Sequence, residues 1–125
     1  METARLASIL IVCPFPEHHA IIERVLQSTK WAIHHAASCR EAAMFLAENQ
    51  PEAVICERTL PDGSWEDIWR YTKQLSQKSS LIVSCRLADD HLWVEVLNAG
   101  GFNVVGQPFD EEELLRVVES TKFRP

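Results

Sequence analysis

Short apolar runs alternate with amphipathic stretches along the whole 125-residue chain, and that order constrains the fold more than any single residue does. A run that is apolar at every position is a strand needing cover on both faces, and the cover must come from helices between the runs. Residues 6–12 are nearly such a run and form the first strand. Pro14 and Pro16 break it, and Pro16 suits the first turn of a helix, where a missing N–H costs nothing. Ile21, Ile22, Val25 and Leu26 then recur at helical spacing. Residues 31–36 are a weaker strand. Ser38 and Glu41 have capping-box spacing and open a helix carrying Ala42, Phe45 and Leu46, and Pro51 ends that region. Residues 53–56 are the third strand. Ser64 caps a third helix in which Trp65, Ile68, Trp69 and Thr72 repeat at i, i+3, i+4 and i+7. Residues 81–84 are the fourth strand. Asp89 caps a fourth helix that runs to Ala99 and stops at Gly100-Gly101. Residues 104–107 are a short fifth strand. Asp110 then caps a fifth helix, with Glu113 placed to reach back and Phe109 placed to staple onto Leu114.

Five strands and five helices in strict alternation predict an α/β, flavodoxin-like (βα)5 three-layer sandwich. Its parallel five-stranded sheet takes the order 2-1-3-4-5. There is no repeat, low-complexity segment or internal linker, so residues 1–125 are expected to form a single domain. A chain of this length buries a real core, and 46% apolar residues is ordinary for a globular protein. The net charge of -6 disfavours contact with nucleic acid, because phosphates call for clustered Lys and Arg. Apolar runs such as residues 9–13 are far too short to span a bilayer. Met1-Glu2-Thr3-Ala4-Arg5 is not followed by a signal-peptide core, so a cytoplasmic location is expected, with no membrane role.

In such folds, chemistry sits at the carboxyl ends of the strands. The side chains to inspect are therefore Cys13 and Pro14, Glu57, Ser84 and Cys85, and Gln107 and Pro108. Cys13, Cys39, Cys56 and Cys85 include no Cys-x-x-Cys pair and read as small buried apolar residues. His18-His19 and His34-His35 are adjacent pairs, and neighbours in sequence do not share a face, so neither pair has metal-ligand spacing. They read as surface residues. Cys13-Pro14-Phe15-Pro16 contains no glycine, which disfavours a phosphate-cradling loop and a flavin or nucleotide ligand.

Glu57 ends the third strand, and Leu60-Pro61-Asp62-Gly63 follows. With Ile9-Leu10-Ile11-Val12, Asn98-Ala99-Gly100 and Gln107-Pro108-Phe109, this resembles the receiver domains of two-component response regulators. The resemblance covers essentially the whole chain. It implies an aspartate phosphoacceptor at position 57, but the chain has Glu57. It implies two acidic magnesium ligands after the first strand, but the chain has Cys13 and Pro14. The serine or threonine after the fourth strand is kept as Ser84, the lysine before the fifth-strand proline is Gln107, and the aromatic switch position is Val104.

These departures remove the metal carboxylates and the fixed cation that phosphoryl transfer to a carboxylate uses. Glutamate also carries its carboxylate about 1.5 Å further out, where errors of about 1 Å are costly. The expectation is therefore a degenerate phosphoacceptor pocket of Glu57, Cys13, Pro14, Ser84 and Gln107. It has no catalytic residue, no cofactor and no metal, and magnesium binding is lost. Two readings of Glu57 stay open, a fixed mimic of phosphoaspartate or an inert carboxylate. An ion pair with Arg86 or Arg58 is a third. The fourth helix carries more apolar residues than one buried face needs, so Trp93, with Leu97 and Val104, marks a candidate partner surface.

The resemblance thus implies a non-enzymatic signalling module. Its partners would be proteins, whether a histidine kinase, an effector domain or a second copy. One alternative is a receiver keeping weak metal or phosphoryl binding at Glu57. The other is a small-ligand or thiol-redox module at the Cys13 and Ser84 edge.

Overall fold

A computed structural model of the chain describes residues 6–86 and 90–123. Its elements run β1 Ser8–Val12, α1 Pro16–Leu26, β2 Ala32–Ala36, α2 Cys39–Leu46 and β3 Ala53–Glu57. A two-stranded hairpin, β4 Thr59–Leu60 and β5 Gly63–Ser64, precedes α3 Trp65–Lys73. Then come β6 Ser80–Cys85, α4 Asp90–Ala99, β7 Asn103–Gly106, α5 Glu111–Ser120 and a closing 3-10 turn, Thr121–Phe123. The main sheet is parallel throughout, in the order β2-β1-β3-β6-β7. With the hairpin set aside, this is the expected 2-1-3-4-5.

Side chains alternate across the sheet and divide the core in two. Leu10, Val12, Val54, Cys56, Leu81, Val83 and Val104 face one way, onto Ala42 and Leu46 of α2, Trp65 and Ile68 of α3, and Leu92 and Val96 of α4. Ile9, Ile11, Ala53, Ile55, Ile82 and Val105 face the other way. They meet Ile22, Val25 and Leu26 of α1 and Leu114, Val117 and Val118 of α5. Every residue of β3 and β6 is buried, which is why these strands read as continuous apolar runs. β2 lies at the edge with His34 and His35 exposed, which accounts for its weaker pattern.

The predicted helix starts are present, with two adjustments. Ser38 Oγ accepts from the Glu41 N–H, but the Glu41 carboxylate accepts from the Ala37 N–H, one residue outside the box. Ser64 caps α3 and is completed by Asp67, whose carboxylate accepts from the Ser64 N–H at 3.0 Å. Asp110 accepts from the Glu113 N–H. Asp89, the expected cap of α4, lies outside the described residues. α4 stops as predicted: Gly100 takes φ +102, in the left-handed region where a Cβ is strained.

The Leu60-Pro61-Asp62-Gly63 turn does more than reverse the chain. Leu60 pairs with Gly63 and Thr59 with Ser64, so the turn is the tip of a small antiparallel hairpin. The Asp62 carboxylate accepts from the Cys39 and Arg40 N–H groups at 2.8 and 3.0 Å, capping α2 from 22 or 23 residues away. These backbone bonds hold the Asp62 carboxyl below its ordinary value.

Candidate functional site

Strand register fixes the site. Val12 pairs with Cys56 and Glu57 pairs with Ser84. Cys56 and Val83 face the α2–α4 side, so Glu57 and Ser84 face the α1–α5 side at the carboxyl edge. Cys13 follows Val12 on the same side. Gln107 lies one residue beyond β7, before a cis peptide to Pro108.

Glu57 is the centre, a carboxylate only 9% exposed. Its Oε2 accepts from Gln107 Nε2 at 2.6 Å and from Ser84 Oγ at 3.2 Å. These partners satisfy a buried charge that would otherwise be costly. His18 Nδ1 lies 3.9 Å from the same oxygen. The thiol of Cys13 lies 3.6 Å from His18 Nδ1, and the Phe15 N–H donates to its sulfur. The Cys13 thiol is pushed up to about 11, chiefly by burial and to a lesser extent by the Glu57 carboxylate.

α1 brings His18 here. Phe15 is its N-cap residue, Pro16 opens it, and His18 stands in its first turn above the end of β1. The imidazole is held edge-on between Phe15 and Phe109, with ring centroids 5.1 and 5.5 Å away. Phe15, Glu17, His18, Glu57, Arg86, Gln107 and Pro108 line an open cleft of about 480 Å³.

No family model matches the chain. Its sequence is 26% identical over 109 residues to the response regulator protein PilR of Pseudomonas aeruginosa, covering 87% of this chain and 24% of that protein. The chain thus spans about a quarter of that relative's length. The signal receiver domain of a Vibrio parahaemolyticus protein described as a Luxo repressor superposes with a TM-score of 0.87 and 20% identity, covering 94% of this chain and 90% of that one. A two-component response regulator from Clostridium difficile gives 0.84 and 21%, covering 94% and 97%. The BeF3-activated DrrB receiver domain gives 0.83 and 22%, covering 96% and 100%.

The chain has the fold of a receiver domain. In receiver-type terms, the structure brings four of the five expected pocket residues together: Glu57, Cys13, Ser84 and Gln107. Pro14 lines a neighbouring cleft instead, with Pro16, His19, Glu23 and His35. Among the described residues Glu57 forms no ion pair with Arg58 or Arg86, and the basic side chain facing it is the His18 imidazole. The Arg58 guanidinium lies 3.8 Å from Cys85 Sγ, and Arg86 stands exposed at the cleft wall.

Reading the histidines as surface residues missed this role. Adjacent histidines do diverge, as expected, but each then meets a partner from elsewhere in the chain. His18 is partly buried and joins Cys13 and Glu57, while His19 Nδ1 meets His35 Nδ1 at 2.7 Å. Pro16 carried the signal for His18, since a proline at the start of α1 places the first turn over the strand ends. All four cysteines are buried and free, as expected, and Cys56 points into the α2–α4 core. On α4, Trp93 and Val94 are about half exposed and Leu97 is partly buried. Val104 is buried against the α2–α4 core and offers a partner no surface, because alternation on β7 turns it inward. No described helix is long and apolar enough to cross a membrane.

Proposed function

We propose that this receiver-type domain is a degenerate receiver of two-component signalling, a non-enzymatic module acting through protein contacts without aspartyl phosphorylation. The observation that carries this reading is the occupation of Glu57. The carboxylate at the acceptor position already holds Ser84 and Gln107, the side chains at the serine/threonine and lysine positions. A neutral amide stands where a lysine would neutralise an incoming phosphoryl group, and Cys13 and Pro14 supply no hard oxygen ligand for magnesium.

The same contacts favour a fixed state over an inert pocket. Glu57 ties the ends of β3, β6 and β7 together without a phosphoryl group. A domain locked this way would engage its partner constitutively, with the exposed Trp93 on α4 as the anchor. The partner class is a kinase, an effector domain or a second copy.

The test is amide NMR with and without magnesium and beryllofluoride, alongside acetyl phosphate labelling. The expected result is no adduct and no shift at Glu57, Ser84 or Gln107. Magnesium-dependent shifts at these residues that spread into α4 would mean that the phosphoryl switch survives.

A further inference from the structure

The pocket that has lost its hard oxygen ligands has gained a different donor set. Cys13 Sγ, His18 Nδ1 and a Glu57 carboxylate oxygen all lie within 4.8 Å of one another. We propose that these three residues form a binding site for a borderline divalent cation of the zinc class, with a fourth position open to the cleft. The site stands on its own geometry and does not depend on the signalling reading.

Donor chemistry selects the ion. A sulfur, an imidazole nitrogen and a single carboxylate are poor ligands for magnesium, which prefers an octahedron of oxygens. They match zinc, which takes Cys, His and carboxylate ligands in tetrahedral array. Zinc bonds of about 2.3 Å to sulfur and about 2.0 Å to nitrogen hold tetrahedral ligands about 3.5 Å apart. Cys13 Sγ and His18 Nδ1 are 3.6 Å apart, and His18 Nδ1 and Glu57 Oε2 are 3.9 Å apart. Cys13 Sγ and the Glu57 carboxylate, within 4.8 Å of each other, would close by up to about 1 Å around the cation.

The surroundings are those of a built site. Phe15 and Phe109 fix the imidazole plane. Ser84 and Gln107 hydrogen-bond the Glu57 carboxylate, as outer partners orient metal ligands. Cys13 and Glu57 are buried, and His18 is partly so. Three protein ligands leave one coordination position, which the cleft can fill with water or a small anion. On binding, the Cys13 S–H bond breaks, a metal–sulfur bond forms and the proton passes to buffer; nothing is oxidised.

Zinc and cobalt binding by the whole chain, kept reduced and stripped of metal, tests this. Zinc affinity is read by competition with a chelating dye, and cobalt by absorption. The expected outcome is one ion per chain, with a thiolate-to-cobalt charge-transfer band and no competition from magnesium. Cys13→Ser removes that band, and His18→Ala weakens zinc at least about tenfold. Gln107→Ala, which leaves all three ligands in place, keeps the band and weakens zinc by about tenfold. Folded wild-type protein lacking the band would overturn the proposal. So would affinity unchanged in Cys13→Ser and His18→Ala but lost in His35→Ala, which would place the ion at the neighbouring imidazole pair. Where a variant fails to fold, the wild-type cobalt spectrum and zinc-dependent NMR shifts at His18 decide.

Discussion

Cys39 opens α2, and a helix N-terminus ordinarily lowers a thiol's pKa. Here the thiol is pushed up to about 11, first by burial and then by the Asp62 carboxylate that caps the same helix. The anion that satisfies the helix N–H groups therefore cancels their effect on the sulfur. Iodoacetamide should label Cys39 slowly in folded protein near neutral pH, and Asp62→Asn should speed that labelling. Equal rates in the two proteins would show that burial alone protects the thiol. Asp62 itself works in the opposite direction. Its carboxyl is held below the ordinary value, so its contribution to stability is present above the usual carboxylate range. That contribution is lost as pH falls through the lowered value. Wild type and Asp62→Asn should therefore converge in acid unfolding titrations and separate as pH rises.

The elements keep their boundaries through a few capping residues. Ser64 and Asp67 satisfy N–H groups at the start of α3, so Ser64→Ala should cost about 1 kcal/mol in denaturant unfolding. Gly100 ends α4 at φ +102, and a Cβ there would meet the Trp69 ring at 3.0 Å. Gly100→Ala therefore combines backbone strain with a contact against a large aromatic side chain. It should cost more than about 1 kcal/mol, whereas a Gly→Ala change at a compatible φ usually stabilises. Both positions could be read in advance, because a helix start and a helix stop are local events with local residue preferences. The β4–β5 hairpin could not. Two-residue strands carry no periodicity, and Asp62 points at an α2 that local sequence does not place.

Across the whole molecule, the sheet divides side chains sharply between core and surface. Ile82 is fully buried between β3 and β7, and Ile82→Ala should cost about 2–5 kcal/mol. Trp93 is large but half exposed, so Trp93→Ala should change stability by no more than about 0.5 kcal/mol. A large loss in Trp93→Ala would mean that the ring packs within the domain and is not held out for a partner. Glu57→Gln probes the joint between β3, β6 and β7. If Glu57 fixes the state, amide shifts should reach α4; if it is inert, they should stay within the pocket.

The sequence by itself determined the alternation of strands and helices, the parallel order and the sheet edge where the site lies. The alternation follows from periodicity and local capping, which act over a few residues, and the order and the edge follow from the flavodoxin-like pattern that this alternation matches. It also placed Glu57, Cys13, Ser84 and Gln107 at that edge, because strand ends are legible from where apolar runs stop. Tertiary structure decided which of these touch. Gln107 meets Glu57 across 50 residues of chain, and His18 comes to Cys13 and Glu57 only because α1 starts directly over the end of β1. Likewise, only packing decided that Trp93 stays out. Burial pattern is a one-dimensional signal, but a hydrogen bond or a ligand triad depends on angles and distances set by the docking of several elements at once.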